Sequence, residues 1–158
     1  MAPKVLASKT LPAGWTMIIE EYFALETLSF YLKQDVLKPD QYNNILSNMR
    51  LLMQKLHSYG YVHGDFRPSN ILIDPLSLDM FLIDFEFSGK QGAKGYYHVL
   101  NENICWHSQV KFGAQLQMDH DEFLLNHLEG LFQKASSIID EPLLKTPSKK
   151  MQVDYRDF

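Results

Sequence analysis

The sequence has little of what marks secreted, membrane or nucleic-acid-binding proteins. Its single cysteine, Cys105, excludes an internal disulfide and offers no thiolate cluster for a metal. No stretch approaches the roughly 18 consecutive apolar residues that predict a membrane-spanning helix. Lys and Arg total 15 against 19 Asp and Glu, so we expect neither a nucleic-acid nor a membrane-surface partner. Because no sustained apolar run precedes Pro12, we also expect no signal peptide and a cytoplasmic or nuclear location.

The composition indicates one globular domain with polar ends. The 158 residues are 46% hydrophobic and 13% aromatic, which is typical of a folded chain and not of a disordered one. We divide the chain into an N-terminal extension (1–14), a folded domain (15–139) and a polar C-terminal tail (140–158). The tail carries Pro142 and Pro147, and we expect it to be loosely held.

The first half of the domain predicts a strand followed by two helices. The β-branched and aromatic residues from Trp15 to Phe23 predict a strand, and Ala24 to Gln34 predicts a short helix. A long helix is expected to start at Asp40 and to stop at Gly60. Its apolar residues recur at helical spacing on one face: Ile45, Met49, Leu52, Met53 and Leu56. His57, late in this helix, is interpreted as a surface or C-terminal capping residue.

The second half predicts a hairpin, an irregular segment and a further helix. The stretches "NILID" and "MFLIDFEF" read as two short strands around a turn that carries Pro75 and Asp79. No clear period runs from Ser88 to Phe112, and a second helix is expected from Met118 to Ile138. The sequence therefore predicts a mainly α fold with a small β-hairpin, which is an α+β class.

A polar loop lies between the long helix and the hairpin, in the stretch "YGYVHGDFRPSNILIDP". It contains His63, Gly64, Asp65 and Asn70 in the pattern H-G-D-x-x-x-x-N, and the second hairpin strand ends at Asp84. Taken alone, H-G-D is typical of a turn with an aspartate cap. The asparagine at this offset and a following strand that ends in "IDF" favour a functional site instead.

These motifs resemble the C-terminal lobe of the protein-kinase-like fold. That family has a catalytic loop H-R-D-x-x-x-x-N followed by D-F-G, and this chain has "HGDFRPSN" and then "DFE". The resemblance is greatest to the kinase-like proteins of mushroom-forming fungi. The stretches that carry it are "VHGDFRPSNIL", "LIDFEFSGK", "LNENICW" and "HDEFLLNHL".

The resemblance implies ATP and Mg²⁺ as cofactors and gives roles to the polar residues. In the catalytic loop, Asp65 would accept the proton of the attacking hydroxyl, and Arg67 would face the phosphate. Asn70 and Asp84 would hold Mg²⁺, a hard ion that prefers oxygen ligands. Glu21 and Phe23 would contact the nucleotide through the hinge backbone. His63 and Asp121 would give structural support to the loop.

The chain also departs from the kinase pattern. It contains no G-x-G-x-x-G and no V-A-I-K-like strand, so the resemblance is to a C-terminal lobe that lacks the N-terminal lobe. Gly64 replaces the Arg that couples the loop to a phosphorylated activation segment, and no A-P-E follows Asp84. Glu86 replaces the Gly of D-F-G, where a carboxylate would add a metal ligand, repel phosphate or point outward.

Two functions of different classes remain open at this point. The first is a divergent phosphotransferase that uses ATP and Mg²⁺; the second is a non-catalytic pseudokinase that acts as a protein-interaction module. A missing lobe would leave Ile18, Ile19 and Phe23 partly uncovered. We therefore expect the first 14 residues, a second copy or another protein to cover this surface.

Overall fold

The computed structural model describes residues 2–34, 36–97 and 99–139, and the predicted polar tail lies outside them. Three helices and three small sheets make up this part of the chain, which agrees with the predicted α+β class. The helices are α1 (Leu28–Lys33), α2 (Pro39–Ser58) and α3 (Met118–Ile139); the strands are β1 (Val5–Thr10), β2 (Thr16–Glu20), β3 (Glu26–Thr27), β4 (Tyr61–Val62), β5 (Ile71–Ile73), β6 (Met80–Leu82) and β7 (Gly89–Lys90).

The chain begins with a hairpin that crosses the predicted boundary at residue 15. Strands β1 and β2 pair antiparallel, with Ala7 opposite Ile19 and Lys9 opposite Met17. The strand predicted from Trp15 to Phe23 is present but shorter, as β2. Because β1 lies inside residues 1–14, the expected N-terminal extension supplies half of this hairpin.

A short strand replaces the first turn of the predicted short helix. Thr27 has an extended backbone, and its side-chain oxygen accepts a hydrogen bond from the Phe30 amide at 3.1 Å. This N-cap makes α1 begin at Leu28, later than the predicted start at Ala24. Residues 26–27 instead form β3 at the edge of the three-stranded sheet β3–β5–β6.

Helix α2 has the predicted length and buries the predicted face. Its N-cap is Lys38 and its first residue is Pro39, so the helix starts one residue before the predicted Asp40. Gly60 follows the helix with φ +75°, which is the left-handed conformation expected of a helix stop. Of the predicted apolar face, Ile45, Met49 and Met53 are buried, and Leu52 and Leu56 pack partly against the same core.

The core lies between α2, α3 and the β5–β6 hairpin. Tyr42 on α2 stacks on Phe132 of α3 with ring centroids 4.2 Å apart, and Arg50 forms an ion pair with Glu129 across the same pair of helices. The hairpin turns back as predicted, with Ile71 opposite Leu82. In the described part of the chain, none of the helices has the length and apolarity needed to cross a membrane.

Two leucines on these helices test the position of the core. Leu128 of α3 is 0% exposed, whereas Leu51 of α2 is 63% exposed. We expect Leu128→Ala to lower the free energy of unfolding by about 2–5 kcal/mol, because it removes a buried side chain and leaves a cavity. Leu51→Ala is the matched control and should change stability by less than about 0.5 kcal/mol. Urea denaturation measures both values, and equal losses would contradict this core.

Candidate functional site: the loop His63–Asn70

The polar loop predicted from the sequence is buried. It leaves β4 at Val62, runs through His63, Asp65 and Asn70, and enters β5. A buried irregular backbone has to find partners for its N–H and C=O groups, because neither a helix nor a sheet supplies them. The side chains around the loop supply several of these partners.

Asp121, in the first turn of α3, holds the start of the loop. Its carboxylate is fully buried, and it accepts hydrogen bonds from the backbone amides of His63 and Gly64, each at 2.9 Å. A third donor is the Nε2 atom of His57, 2.9 Å from Asp121 Oδ2. The interpretation of His57 as a surface or capping residue is therefore wrong. His57 lies on the side of α2 that faces α3. The sequence pattern of α2 alone does not show which residue of α3 lies opposite it.

Gly64 is required by the shape of the loop. Its φ is +81°, and a Cβ atom added there would lie 2.9 Å from the backbone oxygen of Phe87. Any side chain at this position would therefore meet both backbone strain and a steric clash. The kinase pattern indicated only that Gly64 replaces an arginine. The structure shows that the glycine lets segment 87–89 approach the loop.

His63 is a neutral, buried element of the loop. Its Nδ1 atom accepts from the Asp65 amide at 3.3 Å, so Nε2 carries the proton and donates to the Ile83 carbonyl oxygen at 3.1 Å. The ring packs against the rings of Phe66 and Phe85. Burial lowers the pKa of the His63 imidazole, and the nearby carboxylates of Asp121 and Asp65 only partly oppose this.

Asp65 lies at the centre of the loop, and its side chain is 6% exposed. Arg67 forms a bidentate pair with it, through Nε to Oδ1 at 2.6 Å and through Nη2 to Oδ2 at 2.9 Å. Asn70 donates from Nδ2 to Oδ2 at 2.8 Å and to the Asp65 backbone oxygen at 3.0 Å. The sequence-predicted residues Asp65, Arg67 and Asn70 are therefore in direct contact.

Asp84 lies at the same end of the β5–β6 hairpin as Asn70. The backbone oxygen of Asn70 accepts from the Ile83 amide at 3.0 Å, which sets Asp84 one residue beyond that pair. Asp84 is exposed and has φ +60°, a conformation that an Asp adopts at some cost. Because both amide hydrogens of Asn70 are used on Asp65, its Oδ1 atom is left to act as an oxygen ligand.

The predicted metal pair fits Mg²⁺ only as a partial ligand set. Among the described residues, no group of three or more His, Cys, Asp or Glu side chains is arranged to hold a metal. Mg²⁺ is commonly held by one or two protein oxygens together with water and phosphate oxygens. Asn70 and Asp84 each carry a side-chain oxygen of the kind that Mg²⁺ prefers, and their role as a metal pair stays a prediction.

The two predicted hinge residues have different surroundings. The Glu21 amide donates to the Lys4 backbone oxygen at 2.9 Å, so this N–H group extends the β1–β2 ladder. The ring of Phe23 stacks on Phe81 of β6 at 4.2 Å and thereby links the end of the hairpin to the three-stranded sheet. Among the described residues, neither Glu21 nor Phe23 forms a hydrogen bond to the loop His63–Asn70.

A second, smaller core supports the loop from the other side. Val62, Tyr96 and Leu116 are its buried members, with Phe87 and Trp106 packed against them. Ser88 donates from Oγ to the backbone oxygen of His63 at 2.8 Å, a contact that the sequence did not predict. The region predicted to be irregular is therefore ordered in part by the loop itself.

Tyr96 connects this core to α3. It is fully buried with φ +57°, and its hydroxyl lies 2.8 Å from Nδ1 of His120. Burial raises the pKa of the Tyr96 hydroxyl and lowers the pKa of the His120 imidazole. Both groups are therefore neutral near pH 7.

A protein-family model described as the protein kinase domain matches residues 7–108, more than half of the chain. The chain belongs to the protein kinase domain family. A curated relative, a probable cell division protein kinase of Encephalitozoon cuniculi, is 32% identical over a 79-residue alignment that covers 48% of this chain and 26% of the relative. The kinase PK-1 of the Cydia pomonella granulovirus superimposes with a TM-score of 0.67 at 16% identity.

The viral kinase supports the fold, and the kinase-like fold predicted from the motifs is confirmed. The superposition covers 89% of this chain and 56% of the viral kinase. This chain therefore spans about half of that kinase and about a quarter of the curated relative. The loop His63–Asn70 lies between the long helix and the D-F-x hairpin, and its pattern H-G-D-x-x-x-x-N resembles the catalytic-loop pattern of that family.

Gly64 can be tested against a second glycine with the same backbone angle. Gly92 also has φ +81°, but no atom lies within 4 Å of a Cβ added there. We expect Gly92→Ala to cost about 1–2 kcal/mol from backbone strain, and Gly64→Ala to cost at least about 1 kcal/mol more because of the clash. Urea denaturation of both variants measures the difference. An equal loss would show that Phe87 does not crowd the loop.

The buried histidines predict a loss of stability in mild acid. The folded-state pKa values of His63 and His120 lie below the ordinary value of 6.5, so only the unfolded chain takes up these protons as the pH falls through that value. Each such proton should lower the free energy of unfolding by about 1.4 kcal/mol per pH unit. Urea denaturation at several pH values between about 7.5 and 5.5 measures the slope. His63→Gln should reduce it, and a pH-independent stability would contradict the neutral state.

Proposed function

We propose that the loop His63–Asn70 and Asp84 form the phosphoryl-transfer half of a protein-kinase site. Asp65 is the base that accepts the proton of the attacking hydroxyl, and Arg67 pairs with phosphate oxygens. Asn70 and Asp84 hold Mg²⁺, which when bound neutralises charge on the transferring phosphate. The observation that carries the proposal is the cluster Asp65–Arg67–Asn70, in which the three side chains are in direct contact and follow the order of the kinase catalytic-loop pattern.

Asp65 has the geometry of a base that is fixed in place. Its Oδ2 atom accepts from both Arg67 and Asn70, whereas Oδ1 accepts only from Arg67. Oδ1 therefore has acceptor capacity left for a substrate hydroxyl. Since Asn70 also binds the Asp65 backbone, the carboxylate cannot rotate freely, which lowers the entropy that positioning would otherwise cost.

Arg67 gives the site its affinity for phosphate. Its guanidinium is only partly buried, so phosphate oxygens can reach the donors that do not bind Asp65. A planar guanidinium with several N–H donors binds a carboxylate and a phosphate oxygen together. Arg67 thus brings the base and the anionic substrate to one side of the loop.

The second candidate, a non-catalytic pseudokinase that acts as an interaction module, is favoured by one observation. The bidentate pair with Arg67 neutralises the Asp65 carboxylate and competes with a substrate hydroxyl. We also propose that the chain is similar to the fungal kinase-like proteins. The motif stretches "VHGDFRPSNIL" and "LIDFEFSGK" support both this similarity and the phosphoryl-transfer half-site.

Nucleotide binding separates the two candidates. In the full chain, ATP with Mg²⁺ at about five times the Kd should add about 1 kcal/mol of stability, because a ligand that binds only the folded state stabilises it. For a chain of this size, that raises the Tm by about 2–4 °C. Differential scanning fluorimetry measures the shift. Asp84→Asn should abolish the shift, because it removes the charged ligand of the proposed metal site. Asp84 is exposed, so this replacement should leave the fold intact.

Glu102→Gln is the matched control, since Glu102 is an exposed carboxylate outside the site and its loss should leave the shift unchanged. A wild-type chain with no shift at millimolar ATP and Mg²⁺ would contradict a live nucleotide site and favour the pseudokinase. A shift that survives Asp84→Asn would place binding elsewhere on the chain. Where binding is found, Asp65→Asn should retain it and abolish phosphate transfer.

A further inference from the structure

Leu116 lies two residues before α3, is 1% exposed and packs against three glycines. A Cβ atom added at Gly95 would lie 2.7 Å from Cδ2 of Leu116. A Cβ added at Gly89 would lie 2.9 Å from Cδ1, and one added at Gly64 would lie 3.1 Å from Cδ2. Carbon atoms pack at about 3.5–4.0 Å, so at all three positions the Leu116 side chain takes the space that a Cβ would need. We call Gly64, Gly89 and Gly95 the glycine socket.

The glycine socket joins three parts of the chain. Gly64 lies in the loop of the candidate site, and Gly89 lies in β7, which pairs with β4 directly before that loop. Gly95 lies in a segment that pairs antiparallel with the residues before α3, and its amide donates to the Ala114 carbonyl oxygen at 2.9 Å. A single side chain, Leu116, therefore contacts the loop, β7 and this segment together.

The backbone of Leu116 is fixed as well. Its amide donates to the Ala93 carbonyl oxygen at 2.9 Å, and its own carbonyl oxygen accepts from the Gly92 amide at 2.8 Å. Leu116 cannot leave the socket unless these hydrogen bonds lengthen or break. The side chain is therefore held at a set distance from Gly64.

Two residues from one stretch of chain hold Gly64 in different ways. Asp121 accepts the hydrogen bond of the Gly64 amide at 2.9 Å, whereas Leu116 fills the space beside the Gly64 Cα. Asp65 follows directly, so the direction of its carboxylate depends on the backbone at Gly64. We propose that Leu116 is a positioning residue for Asp65, which acts by packing into the glycine socket. A role of Leu116 in phosphate transfer rests on the proposed function, because Asp65 is its base, whereas the effect of Leu116 on the loop backbone does not.

A double-mutant cycle tests the socket. Gly95 has a φ outside the left-handed region, so Gly95→Ala adds a methyl group without backbone strain, and the three atoms nearest to that methyl belong to Leu116. We expect Gly95→Ala to lower the urea midpoint of unfolding by about 1 M, because overpacking a buried site costs stability. In a Leu116→Ala background the same change should lower the midpoint little or not at all, because the atoms that it meets are gone.

Leu128→Ala is the matched control for this cycle. Leu128 is buried to a similar extent in the larger core. Gly95→Ala should therefore lower the urea midpoint as much in the Leu128→Ala background as in the wild-type chain.

Hydrogen exchange separates the positioning of the loop from general stability. Leu116→Ala should speed exchange of the Gly64 amide on the order of tenfold more than exchange in the middle of α2, because it frees the loop without opening the whole chain. Leu128→Ala should not single out the loop in this way. Leu116→Met should restore the wild-type exchange, since it refills the socket with nearly the same volume. Leu116→Val removes less of the side chain and gives the same comparison if Leu116→Ala does not fold.

The outcomes distinguish this role from the proposed function. An equal loss from Gly95→Ala in the wild-type and Leu116→Ala chains would overturn the socket, and Gly64 exchange that only follows α2 would overturn the positioning role. In a chain that transfers phosphate, Leu116→Ala should lower kcat and leave the KM for ATP unchanged, because Leu116 positions the base and binds no nucleotide. A wild-type chain that transfers no phosphate would contradict the proposed function, while the cycle and the exchange rates would still decide the role of Leu116.

Discussion

The candidate site depends on one buried carboxylate. Asp121 binds the amides of His63 and Gly64 and the imidazole of His57, and it therefore joins α3, α2 and the loop at a single point. A buried carboxylate is costly unless several donors surround it, so the three elements have to assemble together for any of these contacts to be favourable. The other side of the loop adds a steric constraint. At position 64 only a glycine lets the segment after β6 approach so closely.

The chemistry of the loop follows from this support. With His63 and Gly64 fixed, Asp65 is presented to Arg67 and Asn70, and the Asn70–Ile83 backbone contact sets Asp84 beside them. The residues that we propose as proton acceptor, phosphate-binding cation and metal ligands thus come from one short loop and the end of one hairpin. In that proposal, a bound substrate would have to share the Asp65–Arg67 pair.

The sequence predicted the parts of the fold whose signals are local. The apolar face of α2, the stop at Gly60 and the β5–β6 hairpin follow from periodicity and turn residues, and the motif stretches predicted the kinase-like fold. The sequence did not predict β1, because its exposed residues carry no strand period. It also misinterpreted His57 and did not predict Ser88, because each is defined by a partner distant in the chain. Roles in catalysis remain predictions, because burial and contacts fix a geometry and not an activity.

The central claim is that the Asp121 carboxylate orders the loop His63–Asn70. Hydrogen exchange of the Asp121→Asn variant, compared with the wild-type chain, tests it most directly. Asparagine keeps the size of the side chain but replaces one of the two acceptor oxygens with an NH₂ group. It can therefore no longer accept hydrogen bonds from His63, Gly64 and His57 together. The account predicts that the amides of His63 and Gly64 exchange much faster, while those in the middle of α2 remain protected. Unchanged protection at His63 and Gly64 would contradict it.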